Sequence, residues 1–136
     1  MLVTFDFDDT LTEPEFDDVD EIWVSGMDPK EPVIDQMREF AENGHEIHIV
    51  TTRSEIGGGR FVFEFVEEHD LPVSGIHFTE GDLKAETLDE LGAVIHFDDS
   101  TNELAAAEDR GIEGRLVVHP WDEKHTPEIE QFQHAT

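Results

Sequence analysis

The chain contains no cysteine and no tyrosine, and its only lysines are Lys30, Lys84 and Lys124. Without cysteine there is no disulfide framework, no thiolate zinc site and no cysteine nucleophile. No apolar stretch approaches the ~20 residues that cross a bilayer, and no signal peptide opens the chain. These absences predict a soluble cytoplasmic protein with no membrane partner. Basic residues are scarce too: 8 Lys+Arg stand against 35 Asp+Glu, for a formal net charge of −27. Hydrophobic residues still make up 37% of the 136, enough for a core in one compact domain and too many for a disordered acidic tail.

The acids are spread over the whole length rather than gathered at one end. At ordinary salt such self-repulsion destabilises a compact state. Molar salt screens it, because the Debye length falls to ~3 Å at 1 M. The composition therefore predicts a halophilic protein of a salt-in cytoplasm. The same field opposes nonspecific nucleic-acid binding at low salt.

What the chain does have begins with Leu2-Val3-Thr4-Phe5, an apolar run that stops abruptly at Asp6-Phe7-Asp8-Asp9-Thr10-Leu11. The run suits a strand buried on both faces of a parallel sheet, whose C-terminal end delivers functional groups. Three acids so close repel one another unless a cation or proton relieves them, which points to a divalent metal. Residues 12–30 read as an acidic flap, solvated from Glu13 to Glu21, with Asp17-Asp18 a chance pair of no function. Helical spacing follows Pro32 through Val33, Ile34, Met37, Phe40 and Ala41, and Asn43-Gly44 stops it.

A second strand covers His45 to Thr52, and the glycines at 57–59 break the chain before a helix from Phe61 to His69. A third strand spans about Gly75 to Phe78, and a helix from Leu83 to Leu91 ends at Gly92. Ala93 to Phe97 form a fourth strand running into Asp98-Asp99; residues 101–109 form a helix ended near Gly111, and Arg115 to Val118 a fifth strand. Alternating strands and helices predict an α/β fold, a Rossmann-like three-layer sandwich with a mostly parallel five-stranded sheet and right-handed crossovers. The core covers residues 1–118, and 119–136 form a tail, either a docked short helix carrying Ile129 and Phe132 or a frayed end.

If the first strand is central, the second and fourth flank it. Asp6, Asp8 and Thr10 then meet Thr51, Thr52 and Arg53, and Asp98 and Asp99, in one crevice. Lys84, opening the helix before the fourth strand, can reach the same place.

At this point the residues resemble a known family. Asp6-Phe7-Asp8-Asp9-Thr10-Leu11 is similar to the first motif of the haloacid dehalogenase-like superfamily, Asp-x-Asp-x-Thr/Val after an apolar strand. Thr51 resembles its second motif, Lys84 its third and Asp98-Asp99 its fourth, in order over roughly residues 1–118. The resemblance implies a Mg²⁺-dependent phosphatase in which Asp6 attacks phosphorus and forms an aspartyl-phosphate. Asp8 would protonate the leaving oxygen and then activate water. Mg²⁺ would sit between Asp6, the Asp8 carbonyl and Asp98, with Asp99 acting through water or orienting the metal shell. Thr51 and Lys84 would hold the phosphoryl oxygens, with Thr10, Thr52 and Arg53 as weaker substrate contacts.

An acid at Asp8 favours phosphate chemistry over the dehalogenase branch, whose halide leaving group needs no proton. No segment is long enough for a cap domain, so the site is expected to be open. It would admit a small phosphorylated substrate or a polynucleotide end, or borrow a lid from a second copy in a homo-oligomer. A phosphotransferase would use the same residues. A receiver-like phospho-acceptor fits less well, since its acceptor would end the third strand, here Thr79-Glu80, and no lysine follows the fifth.

Other features have two readings each. Arg53 and Arg60 either bind substrate anions or pair with surplus acids, and the glycine triplet is a flexible loop or a weak phosphate cradle. His48 and His96 lie within strands, in core or supporting positions rather than as metal ligands. Phe61, Phe63 and Phe65 are expected in the core. Thermal melting between about 0.1 M and 3 M KCl should show a midpoint that climbs with salt; a midpoint indifferent to salt refutes the halophilic expectation.

Overall fold

The computed structural model describes residues 1–119. Along the chain run β1 (Leu2–Phe5), β2 (Thr12–Asp17), β3 (Ile22–Pro29), α1 (Glu31–Glu42), β4 (Glu46–Thr51) and α2 (Gly59–Glu68). They are followed by β5 (Gly75–Phe78), α3 (Ala85–Leu91), β6 (Ala93–Asp98), α4 (Thr101–Glu108) and β7 (Glu113–Leu116). Five strands form one parallel sheet in the order β5-β4-β1-β6-β7, so the N-terminal run lies at its centre. Val3, Thr4 and Phe5 are wholly buried, as a strand covered on both faces requires.

Helices cover both faces, giving three layers. On one, Val33, Ile34 and Met37 of α1 and Val62 and Phe65 of α2 pack against Val3, Phe5, Ile47 and Ile49. On the other, Leu88 of α3 and Ala107 of α4 pack with Val50 and Ala93. Phe5 stacks on Phe97 with ring centroids 4.6 Å apart, and Phe7 meets Phe65 edge to face at 5.2 Å. The helix stops are the expected ones: Gly92 ends α3 at φ +77, a left-handed conformation that glycine adopts without strain.

Three expectations need correction or addition. The acidic flap of residues 12–30 has regular structure that the sequence did not predict: β2 and β3 pair antiparallel as a separate two-stranded hairpin. The Asp17 carboxylate caps its turn, accepting from Val19 and Asp20 N–H, so this aspartate is structural. Gly26 is required where the register shifts, since a Cβ there would lie 2.5 Å from the Glu13 carbonyl. Second, only Phe65 of the phenylalanine series is core. Phe61 and Phe63 are 45% and 46% exposed: Phe63 lies two residues from Phe65 and so off its face, while Phe61, in the first turn of α2, lies near the Arg53 and Arg60 guanidinium groups. Third, the last strand begins two residues early, at Glu113. Pairing with Ile95 to Asp98 fixes it, and at a sheet edge its polar residues need no burial.

Among the described residues no segment forms a cap domain, and no helix is long and apolar enough to cross a membrane. The tail expected from 119 onward lies, apart from His119, outside the described residues. Phe65→Ala should cost about 3–5 kcal/mol, read from denaturant unfolding, because it removes the ring on which Phe7 packs and leaves a cavity.

Candidate functional site

The turn after β1 sorts its own side chains. Asp6 N–H donates to the Phe97 carbonyl at 2.8 Å, extending the β1–β6 pairing by one bond. The Phe7 carbonyl then accepts from Thr10 and Leu11 N–H, and Asp9 takes a left-handed φ of +62. This reversal buries Asp6 and Thr10 and leaves Asp8 and Asp9 partly exposed. The Thr10 hydroxyl donates to Asp6 Oδ2 at 2.9 Å, so Thr10 supports the carboxylate and is buried away from substrate.

Because β1 lies between β4 and β6, the ends of all three strands open on one crevice, the position at which ligands of open α/β sheets bind. Asp6, Asp8, Thr52, Lys84, Asp98 and Asp99 line a cavity of about 260 Å³ there. A larger hollow of about 480 Å³ lies against α2, lined by Arg60, Phe63 and three glutamates; it lacks a converging set of reactive groups.

Lys84 joins the strands chemically. Its ammonium donates to Asp6 Oδ1 at 2.7 Å and to Asp98 Oδ2 at 2.6 Å, with all three side chains buried. Its own backbone N–H donates to Glu103 Oε1 at 3.0 Å, tying the start of α3 to α4. Asp98 is held further by His96, whose Nε2–H donates to Oδ2 at 2.9 Å, and by Ser100 N–H on Oδ1 at 3.0 Å. The other His96 nitrogen lies 2.8 Å from the Thr4 hydroxyl. His96 thus occupies a supporting position, not a metal-ligand one.

The charges do not balance. Burial raises the Asp6 carboxyl well above its ordinary range, and the nearby Asp98 and Asp99 add to this, against the pull of Lys84. Burial would raise Asp98 also, but the His96 hydrogen bond and the charges on His96 and Lys84 hold it well below the usual carboxylate range. Burial disfavours the Lys84 ammonium, yet the two carboxylates outweigh that and hold it firmly charged.

Asp6, Asp98 and Asp99 each bring a carboxylate oxygen within 4.8 Å of the others. Hard oxygen donors in a cluster whose like charges strain Asp6 fit a divalent cation such as Mg²⁺. Asp99 also accepts from His119 Nε2 at 2.9 Å.

Among the remaining sequence candidates, the buried Thr51 accepts Arg53 N–H on its hydroxyl at 3.2 Å, whereas Thr52 lines the cavity. Arg53, one of the weaker substrate contacts, is instead engaged with Asp8 through two hydrogen bonds of 2.8 and 2.7 Å. Asp9 accepts from the Ser25 hydroxyl at 3.3 Å and so ties the hairpin to the turn. Glu103 and Ser100 went unanticipated, and their role requires knowing that α3 and α4 lie side by side. His96 had a usable signal, since strand alternation puts it on the same face as Asp98.

No protein-family model matches the chain, and no curated protein matches it in sequence. Among solved structures it is similar to a D,D-heptose 1,7-bisphosphate phosphatase from B. bronchiseptica, complexed with magnesium and phosphate. The TM-score is 0.52 at 14% identity, covering 85% of this chain and 79% of that one. The likeness is one of fold.

Lys84→Met should destabilise the protein by about 3–5 kcal/mol in urea unfolding, because two buried carboxylates lose their shared counter-ion. MgCl₂ should raise the melting temperature of this variant more than that of the wild type. An equal rise in both proteins would count against a cation at the Asp6–Asp98–Asp99 cluster.

Proposed function

We propose that the chain is a capless phosphatase of the haloacid dehalogenase-like superfamily, acting through an aspartyl-phosphate on Asp6. The observation that carries this is the convergence of Asp6 and Asp98 on the Lys84 ammonium, at 2.7 and 2.6 Å, with Asp8 on the same cavity. The fold likeness to a phosphatase crystallised with magnesium and phosphate supports it.

In the first half-reaction an Asp6 carboxylate oxygen bonds to phosphorus as the ester O–P bond breaks, and Asp8 gives a proton to the departing oxygen. In the second, Asp8 takes a proton from water, whose oxygen bonds to phosphorus as the Asp6 O–P bond breaks. Mg²⁺ held by Asp6, the Asp8 carbonyl, Asp98 and Asp99 would supply the positive charge that lets a carboxylate approach an anionic phosphate. Lys84 and Thr52, both on the cavity wall, would contact phosphoryl oxygens, with the buried Thr51 hydroxyl behind them accepting from Arg53 N–H.

The absence of a cap among the described residues suits a substrate whose leaving group projects into solvent, as a small phosphorylated metabolite or a polynucleotide end would. A second copy could serve as the lid. Phosphate release should be assayed across a phosphomonoester panel with MgCl₂ in molar KCl. Asp6→Asn should abolish turnover, and Asp8→Asn should slow it by about 10²- to 10⁴-fold while keeping the fold. Equal phosphate release from wild type and Asp6→Asn would refute the mechanism.

A further inference from the structure

Arg53 is more tightly built in than a substrate-binding arginine needs to be. Its Nε donates to Asp8 Oδ2 at 2.8 Å and its Nη2 to Oδ1 at 2.7 Å, a two-pronged fork on one carboxylate. Its Nη1 donates to the Gly58 carbonyl at 2.8 Å. The guanidinium lies 5.2 Å from the Phe7 ring centroid and 5.9 Å from that of Phe61. Among the described residues, Arg53 makes every hydrogen bond that the Asp8 carboxylate receives.

One member of the glycine triplet, which the proposed chemistry does not use, lies against this fork. A Cβ on Gly58 would stand 3.1 Å from Arg53 Nη1, and one on Gly59 would fall 2.8 Å from the Phe78 ring. A side chain at Gly58 would crowd the guanidinium and require it to give by a few tenths of an ångström. Gly58 thus contributes the carbonyl that anchors the third guanidinium nitrogen.

Resting on the phosphatase reading above, we propose that Arg53 is a positioning residue for Asp8. It holds that carboxylate in the one orientation that serves both half-reactions, and it does not bind substrate. Asp8 must meet the same reacting oxygen position twice, first to give a proton and then to take one from water. Its side chain is 30% exposed, so its orientation depends on its hydrogen-bond partners. Arg53, anchored at its third nitrogen and stacked on aromatic rings, supplies that rigidity. Lysine offers a point charge without a fork and cannot substitute.

The test compares two phosphate esters that differ in their need for an acid. p-Nitrophenyl phosphate loses its leaving group without a proton, whereas β-glycerol phosphate loses an alkoxide that requires one. With Arg53→Ala, turnover of β-glycerol phosphate should fall about 10²-fold, the cost of misplacing a reacting group by ~1 Å. p-Nitrophenyl phosphate should give a burst of one nitrophenolate per enzyme and then turn over slowly, because only the water step still needs Asp8. Millimolar guanidinium should restore both rates, and Arg53→Lys should not. Wild-type rates in Arg53→Ala would overturn the assignment. So would equal losses on both esters with a lowered melting temperature and neither burst nor rescue. If Arg53→Ala does not fold, Arg53→Gln, which keeps most of the stem, is read the same way. If wild type and Asp6→Asn hydrolyse both esters equally, the phosphatase reading itself falls, a result distinct from any seen with Arg53 variants alone.

Discussion

One ammonium group governs the charge of the crevice. Lys84 lies between Asp6 and Asp98 in a chain with very few cations, and it is buried with both of its partners. Neither carboxylate could be carried into the sheet uncompensated, since burying an unpaired charge costs far more than burial of its carbon atoms returns. The rest of the site follows from keeping that ammonium in place. Glu103 fixes the Lys84 backbone, and His96 and Ser100 fix the far carboxylate. Thr10 fixes the near one. Lys84 does not offset the repulsion that Asp98 and Asp99 exert on Asp6, and the three carboxylates are grouped as a further cation would require.

The sheet makes this arrangement cheap to hold. Placing β1 at the centre means that Asp6 and Asp98 leave adjacent parallel strands at the same level, joined by the Asp6 N–H to Phe97 carbonyl bond. Phe5 and Phe97, the residues just before them, stack and lock the two strand ends in register. The apolar core and the acidic crevice are thus consecutive residues of the same strands, and packing quality in one sets geometry in the other.

How much of this was legible in the sequence depends on the range of each signal. The β1 run ending in Asp6, the glycine stops of the helices and the Asp98-Asp99 strand end are local patterns, and they yielded the sheet, its central strand and the crevice. The hairpin was not legible, because most of its apolar residues stay exposed and no alternation of buried and solvated faces marks β3. The edge strand β7 was misplaced for a related reason, its polar residues being set by pairing rather than by burial. The Arg53–Asp8 fork spans 45 residues and depends on how a glycine loop folds back, which no spacing rule encodes. Glu103 and Ser100 likewise become informative only once α3 and α4 are known to be neighbours.

The hairpin of β2 and β3 is joined to the body at few points: the Lys30 N–H on the Leu11 carbonyl, the Ser25 hydroxyl on Asp9, and the buried Lys30 side chain beside Glu13. None of its strands belongs to the main sheet. It is inserted between the chemistry-bearing turn and the first helix. Substitutions at its exposed side chains, Val19 and Ile22 among them, therefore leave the core untouched, whereas Gly26 and the buried Thr12, whose hydroxyl accepts the Asp9 N–H, are held by their surroundings.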